Sequence, residues 1–181
     1  MTILATGCMG FIGSNFFHTW LTSSDESVVS LDKLTYAGNL ANLDAVKGDK
    51  RHVFVQGDIG DLALVVKLLA ENKPRAVLNF AAESQVDRSI HIPGDFIQTN
   101  VVGTFNLLES VRAYWQDLSP ADKEVFRFLH VSTDEVYGAL MPGDPPFAET
   151  KTYEPNTLIP PARLPAIFWC ALGTKPMACL C

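Results

Sequence analysis

Ile3-Leu4-Ala5-Thr6-Gly7-Cys8-Met9-Gly10-Phe11-Ile12-Gly13-Ser14-Asn15-Phe16-Phe17 decides the fold. The apolar run Ile3–Ala5 is too short for a helix and ends on glycine, which reads as a buried strand. Gly7, Gly10 and Gly13 follow as a tight turn. Phe16, Phe17, Trp20 and Leu21 then recur at helical spacing. Outward from this unit the same alternation repeats. Val28-Val29-Ser30-Leu31 is a second strand and Val53-Phe54-Val55 a third. Asp61 is placed to cap a helix carrying Leu62, Leu64, Val65, Leu68 and Leu69. Ala76-Val77-Leu78-Asn79-Phe80 is a fourth strand. A long helix starts near Asp95 and passes Val102, Leu107, Leu108 and Val111 to Trp115. Phe126-Arg127-Phe128-Leu129-His130-Val131 is a fifth strand. Strands alternating with helices predict an α/β domain with a parallel, doubly wound sheet and right-handed crossovers.

The chain has 181 residues, 48% of them hydrophobic, with a net charge of −6. That length can bury the core of one domain. An acidic balance argues against a nucleic-acid partner or an anionic membrane surface. No apolar run approaches the roughly 20 residues of a membrane-spanning helix, and Met1–Gly7 does not read as a secretory leader. Cys8, Cys170, Cys179 and Cys181 are not spaced as a zinc framework, so no metal is expected. A reducing cytoplasm is the simplest setting.

Glycines at a strand-to-helix turn let a pyrophosphate approach the backbone, where a helix N-terminus offers unpaired N–H groups. The spacing here is Gly-x-x-Gly-x-x-Gly. By itself it is also that of a plain turn, and its place between strand and helix is what points to a dinucleotide. Asp32 ends the second strand about 20 residues on, where a carboxylate binds ribose hydroxyls and repels a 2′-phosphate. NAD is therefore expected over NADP, on a Rossmann-like fold. Asp58 ends the third strand and is either an adenine contact or a turn carboxylate. Ala81 and Ala82 follow the fourth strand, where small side chains leave room for a cofactor.

Four segments together resemble the extended short-chain dehydrogenases, and among them the dTDP-glucose 4,6-dehydratases most closely. They are Thr6-Gly7-Cys8-Met9-Gly10-Phe11-Ile12-Gly13, Leu31-Asp32-Lys33-Leu34-Thr35-Tyr36-Ala37-Gly38-Asn39, Ala81-Ala82-Glu83-Ser84-Gln85-Val86-Asp87-Arg88-Ser89 and Ser132-Thr133-Asp134-Glu135-Val136-Tyr137-Gly138. The resemblance covers roughly residues 1–156. The second and fourth segments are its specific part, since related epimerases and decarboxylases usually lack the Asp-Glu pair. It implies NAD contacts from Phe11, Ile12, Lys33, Thr35, Gly38, Ile59 and Thr99 beside the residues already named, and substrate contacts from Ser84 and Arg88. It implies a reaction on dTDP-glucose in which C4 is oxidised, water is lost across C5 and C6, and hydride returns to C6. Glu135 would be the C5 base and Asp134 the acid for the departing oxygen, with Thr133 on the C4 oxygen. An isolated Asp-Glu pair would instead read as a helix cap beside a solvated acid. The intact family implies a homodimer. Cys8 and Met9 stand where small residues are usual, so Met9 is expected to crowd the pyrophosphate path and weaken NAD binding. Gln85 stands where histidine is expected and cannot titrate.

The superfamily's Tyr-x-x-x-Lys is missing downstream of Glu135. Met141 lies four residues after Tyr137, and Thr157 four after Tyr153. After Asn156 the composition changes, and Leu158 to Cys181 holds four prolines and three cysteines without a helical or strand period. Residues 1–156 thus read as an incomplete NAD-binding domain, and 157–181 as an irregular, non-native tail with the sugar-nucleotide domain absent. The tail regroups at codon level. Joining the last base of each codon to the first two of the next permits Tyr-Ser-Ala-Ser-Lys from Leu158 to Arg163, and a helix-like continuation after it. That predicts a frameshift in an ancestral full-length gene and an inactive truncated enzyme. The alternatives are a non-catalytic NAD-binding module and a related nucleotide-sugar epimerase or decarboxylase.

Overall fold

The structure is a computed structural model that describes residues 1–148, 150–154 and 177–180. Helices and strands alternate as β1 (Thr2–Thr6), α1 (Phe11–Ser23), β2 (Ser27–Asp32), β3 (His52–Gln56), α2 (Leu62–Asn72) and β4 (Ala76–Asn79). Then come α3 (Val86–His91), α4 (Pro93–Phe96), α5 (Thr104–Asp117), α6 (Pro120–Val125), β5 (Arg127–Val131) and β6 (Met177–Leu180). The strands form one parallel sheet in the order β3-β2-β1-β4-β5-β6. The order reverses between β1 and β4, which opens a crevice at their carboxyl ends.

Two apolar layers hold the sheet. On one face α1 packs Phe17 and Leu21 against Ile3, Ala5, Val28 and Leu78. On the other, Val65, Leu68 and Leu69 of α2 and Leu107, Leu108 and Val111 of α5 meet Leu4, Val29, Val77 and Phe128. The Asp61 side chain accepts from the Leu64 N–H at 3.1 Å, capping α2. The helix expected from near Asp95 to Trp115 is three pieces in series: α4, a π-helical stretch over Ile97–Gly103, and α5. The π stretch places Thr99 toward the crevice and buries Asn100.

The unexpected strand is β6. Met177–Leu180 pairs in parallel with Phe128–Val131 of β5, inside a segment whose sequence has no strand period. Parallel pairing is made by backbone N–H and C=O groups, so a short run can join an edge without a pattern that announces it. The frameshift expectation otherwise falls on residues 157–176 and 181, outside the described residues. Among the described residues no helix is long and apolar enough to cross a membrane, and no cluster of His, Cys, Asp and Glu is arranged to hold a metal ion.

Candidate functional site

A cleft of about 470 Å³ lies where β1 and β4 diverge. Its floor is the glycine turn. Gly7 sits at φ +67°, and a Cβ there would come within 2.5 Å of the Ala81 nitrogen. A Cβ on Gly13 would come within 2.2 Å of the Gly7 carbonyl oxygen. At these two positions glycine allows α1 to start directly against the turn and the turn to lie on β4. Helix α1 begins after Gly10 with no side-chain cap and no acid in its first turn. Its N-terminus suits an anion.

Asp32 binds two backbone N–H groups. Its Oδ2 accepts from Met9 and its Oδ1 from Leu34, both at 2.8 Å. It therefore ties the glycine turn to the end of β2. The Met9 carbonyl accepts from the Asn39 N–H at 3.1 Å and the Asn42 side-chain amide at 2.8 Å. Held from both sides, Met9 turns its side chain inward. Met9 and Cys8 are fully buried against Ile3, Ala5 and Phe17, and neither lines the cleft. This corrects the expectation that Met9 crowds the pyrophosphate path: its bulk fills the core beneath the turn. Burial, with Asp32 close by, pushes the Cys8 thiol far up, so it stays protonated.

On the β2–β3 side of the cleft, Lys33 Nζ lies 2.7 Å from Asp58 Oδ2, and Asp58 Oδ1 accepts from the Gly60 N–H at 2.8 Å. Burial pushes the Asp58 carboxyl up, but the Lys33 ammonium and the Gly60 N–H outweigh it and hold it below its ordinary range. Thr35, Gly38, Ile59, Ala81, Ala82 and Thr99 line the same cleft, as do Phe11 and Ile12 at its mouth. The fourteen residues expected to touch a dinucleotide thus lie around one cavity, with Gly7, Gly10, Gly13, Asp32, Lys33 and Asp58 among them.

The other end of the cleft is built after β5. Ser132, Thr133 and Glu135 line the cleft opposite the glycine turn. Thr133 caps a 3-10 turn over Asp134–Tyr137, its Oγ1 accepting from the Glu135 N–H at 3.4 Å. Asp134 is exposed and does not line the cleft, and its Oδ1 lies 3.4 Å from Thr133 Oγ1. Ser84 lines the cleft, whereas Arg88 does not. The Arg88 guanidinium lies 4.1 Å over the Tyr36 ring and 3.8 Å from Asp95, so it braces the rim. Glu83 was missed by sequence reasoning. The residue lines the cleft although it is only 6% exposed. Burial, with Glu83 beside it, pushes the Tyr36 phenol up. The signal was its place between Ala82 and Ser84, inside a segment already singled out. The exposed Gln85 stands at the N-terminus of α3.

Comparisons with known proteins agree on the family. The family model described as GDP-mannose 4,6 dehydratase matches residues 4–158. A dTDP-glucose 4,6-dehydratase of Xanthomonas campestris pv. campestris is 59% identical over 157 residues, covering 86% of this chain and 44% of the relative. One from Neisseria meningitidis serogroup B is 52% identical over 155 residues, covering 86% and 44%. The chain spans less than half the length of these curated relatives. Among solved structures, a dTDP-glucose 4,6-dehydratase from Bacillus anthracis in complex with NAD superposes with a TM-score of 0.83 at 34% identity, over 99% of this chain and 53% of that one. A UDP-glucose 4-epimerase from Thermotoga maritima, with UDP-glucose, gives 0.79 at 26% identity, over 95% and 50%. With the family model matching most of the chain, on the same residues that form the cleft, this chain belongs to the GDP-mannose 4,6 dehydratase family.

Proposed function

We propose that this chain is the NAD-binding part of a dTDP-glucose 4,6-dehydratase. The observation that carries the reading is a single cleft joining a glycine turn, Asp32 and the Thr133–Glu135 segment. The residues fit the dinucleotide. The uncapped N-terminus of α1 would receive the pyrophosphate, Asp32 the ribose hydroxyls of the adenosine half, and Asp58 the adenine. NAD, when bound, supplies a hydride acceptor for C4 of the sugar and returns the hydride at C6. In the intact enzyme the proton transfers would fall to Glu135, inside the cleft, as base for C5, and to Asp134 as acid for the C6 oxygen, which requires Asp134 to turn in from its exposed position on the same 3-10 turn. Thr133 is placed to hydrogen-bond the C4 oxygen, and Ser84 to orient the sugar.

This chain carries no Tyr-x-x-x-Lys after Glu135. We therefore infer that it binds the cofactor without completing the reaction. The substrate of the intact enzyme is a sugar nucleotide rather than a nucleic acid, which the net charge of −6 supports. On the resemblance, the intact enzyme is a cytoplasmic homodimer. The family match ends at residue 158, which supports reading residues 157–181 as frameshifted. Determining the coding DNA beyond Asn156 tests this, and the absence of a continuing reading frame for a sugar-nucleotide domain would overturn it. For the cofactor, titrating the purified chain with NADH should give saturable fluorescence enhancement. NADPH should bind more weakly, and Asp32→Ala should lose at least tenfold in affinity. No binding at millimolar NADH would overturn the cofactor reading. An assay for the keto-sugar product should show no turnover.

A further inference from the structure

Three buried polar residues stand side by side across the middle of the sheet. Thr6, Asn79 and His130 are in register on β1, β4 and β5, and each is at most 1% exposed. They lie directly beneath the cleft. The residue after Thr6 is Gly7, Ala81 is two residues after Asn79, and Ser132 is two residues after His130. A row of polar side chains in an apolar sheet is tolerated only when its hydrogen bonds are satisfied. Here the bonds run in one direction. The Ala81 N–H donates to Thr6 Oγ1 at 3.3 Å. The Thr6 hydroxyl donates to Asn79 Oδ1 at 2.5 Å. The Thr6 hydroxyl proton therefore points at Asn79. That orients the Asn79 amide, whose Nδ2 then donates to His130 Nδ1 at 3.0 Å. An imidazole nitrogen that accepts cannot carry a proton, so the neutral ring has its proton on Nε2.

We infer that Thr6, Asn79 and His130 form a directed hydrogen-bond array that holds His130 as its neutral, Nε2-protonated tautomer and fixes the cofactor wall at Ala81 relative to the Thr133–Glu135 segment. Asn79 is the positioning residue. It joins β1 to β5, and it can do so in one sense only because the Thr6 hydroxyl has set its amide. The inference extends the proposed function, on which its ligand readout rests, but the tautomer itself is independent of any ligand.

The test is a long-range ¹H–¹⁵N correlation spectrum of the histidine rings in the ¹⁵N-labelled full chain at neutral pH. His130 is assigned by elimination with His18→Gln, His52→Gln and His91→Gln. The expected result is a protonated Nε2 and a bare Nδ1 in the wild type. In Asn79→Asp the carboxylate accepts where the amide donated, so the proton should appear on Nδ1. Thr6→Ser should keep the wild-type pattern. Thr6→Val should lose the single tautomer and weaken NADH binding about tenfold, the scale of one lost buried hydrogen bond, with the circular dichroism spectrum unchanged. A wild-type proton on Nδ1 would overturn the array, and so would an unchanged tautomer in Asn79→Asp. Should the buried carboxylate prevent folding, a single Nε2-protonated state persisting in Thr6→Val has the same force. A wild type that binds no NADH sinks the cofactor reading alone, while the tautomer result still decides the array.

Discussion

Gly13→Ala sets two effects of opposite sign against each other. Gly13 lies in the first turn of α1, where replacing glycine by alanine ordinarily favours the helix by about 1 kcal/mol. The added Cβ would, however, fall 2.2 Å from the Gly7 carbonyl oxygen and 2.9 Å from the Cys8 Cα. Both are backbone atoms, and no side-chain rotation relieves the overlap. The Gly7 carbonyl must retreat by the better part of an ångström, yet its own position is set by the Gly7 N–H bond to the Leu31 carbonyl at 3.0 Å. Because the overlap is with backbone, the cost falls in the upper part of the roughly 1–3 kcal/mol that overpacking ordinarily carries, about 2–3 kcal/mol, and subtracting the helix gain leaves a net destabilisation of about 1–2 kcal/mol. Gly7→Ala should be worse. Its overlap with Ala81 and Phe80 backbone atoms adds to the cost of a side chain at φ +67°, about 1–2 kcal/mol by itself. Gly10→Ala is the control, because its Cβ would meet nothing nearer than 3.4 Å and should change stability by less than about 0.5 kcal/mol. Urea unfolding at equilibrium measures all three. With a slope of roughly 2 kcal/mol per molar, Gly13→Ala should lower the midpoint by about 0.5–1 M and Gly7→Ala by more. A Gly13→Ala chain as stable as the wild type would refute the close approach of helix and turn.

Asp61→Ala removes the cap of α2 and should cost about 1 kcal/mol in the same assay. Lys73→Gly should gain about 0.5–1 kcal/mol, because Lys73 ends α2 at φ 45°, where a side chain is penalised; a loss of stability would contradict this. The Arg75 guanidinium bonded to Glu26 holds that carboxyl below its ordinary value. Its contribution is therefore fully present above the usual glutamate range and is lost as pH falls through the depressed value; the acid limb of stability against pH should flatten in Glu26→Gln. His52, packed at 4.4 Å against the Phe17 ring and bonded to Ser30, is held below its ordinary value by burial. The folded state thus resists protonation, and stability should begin to fall as pH drops below about 6.5, a slope that His52→Gln should remove.

The alternation of apolar runs, the glycine spacing and Asp32 were legible because each is a local pattern. A strand must alternate with its crossover, a tight turn needs glycine, and a carboxylate at a strand end is visible as a letter. Side-chain direction was not. Met9 reads as an obstruction from its size alone, and only the Asp32, Asn39 and Asn42 bonds to its backbone turn it into the core. Arg88 reads as a ligand contact, yet the Tyr36 ring and Asp95 hold it at the rim. Glu83 stands between two cleft residues, but a glutamate there reads as solvated, and only the packing around it buries it in the cleft wall.

Local order thus settled the class of fold, the strand-end positions at which a ligand could be met, and the types of group waiting there. Those properties depend on neighbours a few residues apart, where backbone sterics and hydrophobic period act. Thr6 and Asn79 are 73 residues apart and Asn79 and His130 51 apart. Their hydrogen bonds exist only because the sheet register stacks three strands, so the direction of that array is a property of the assembled sheet. The same holds for β6, whose pairing uses backbone groups common to every residue and leaves no mark in the order of side chains.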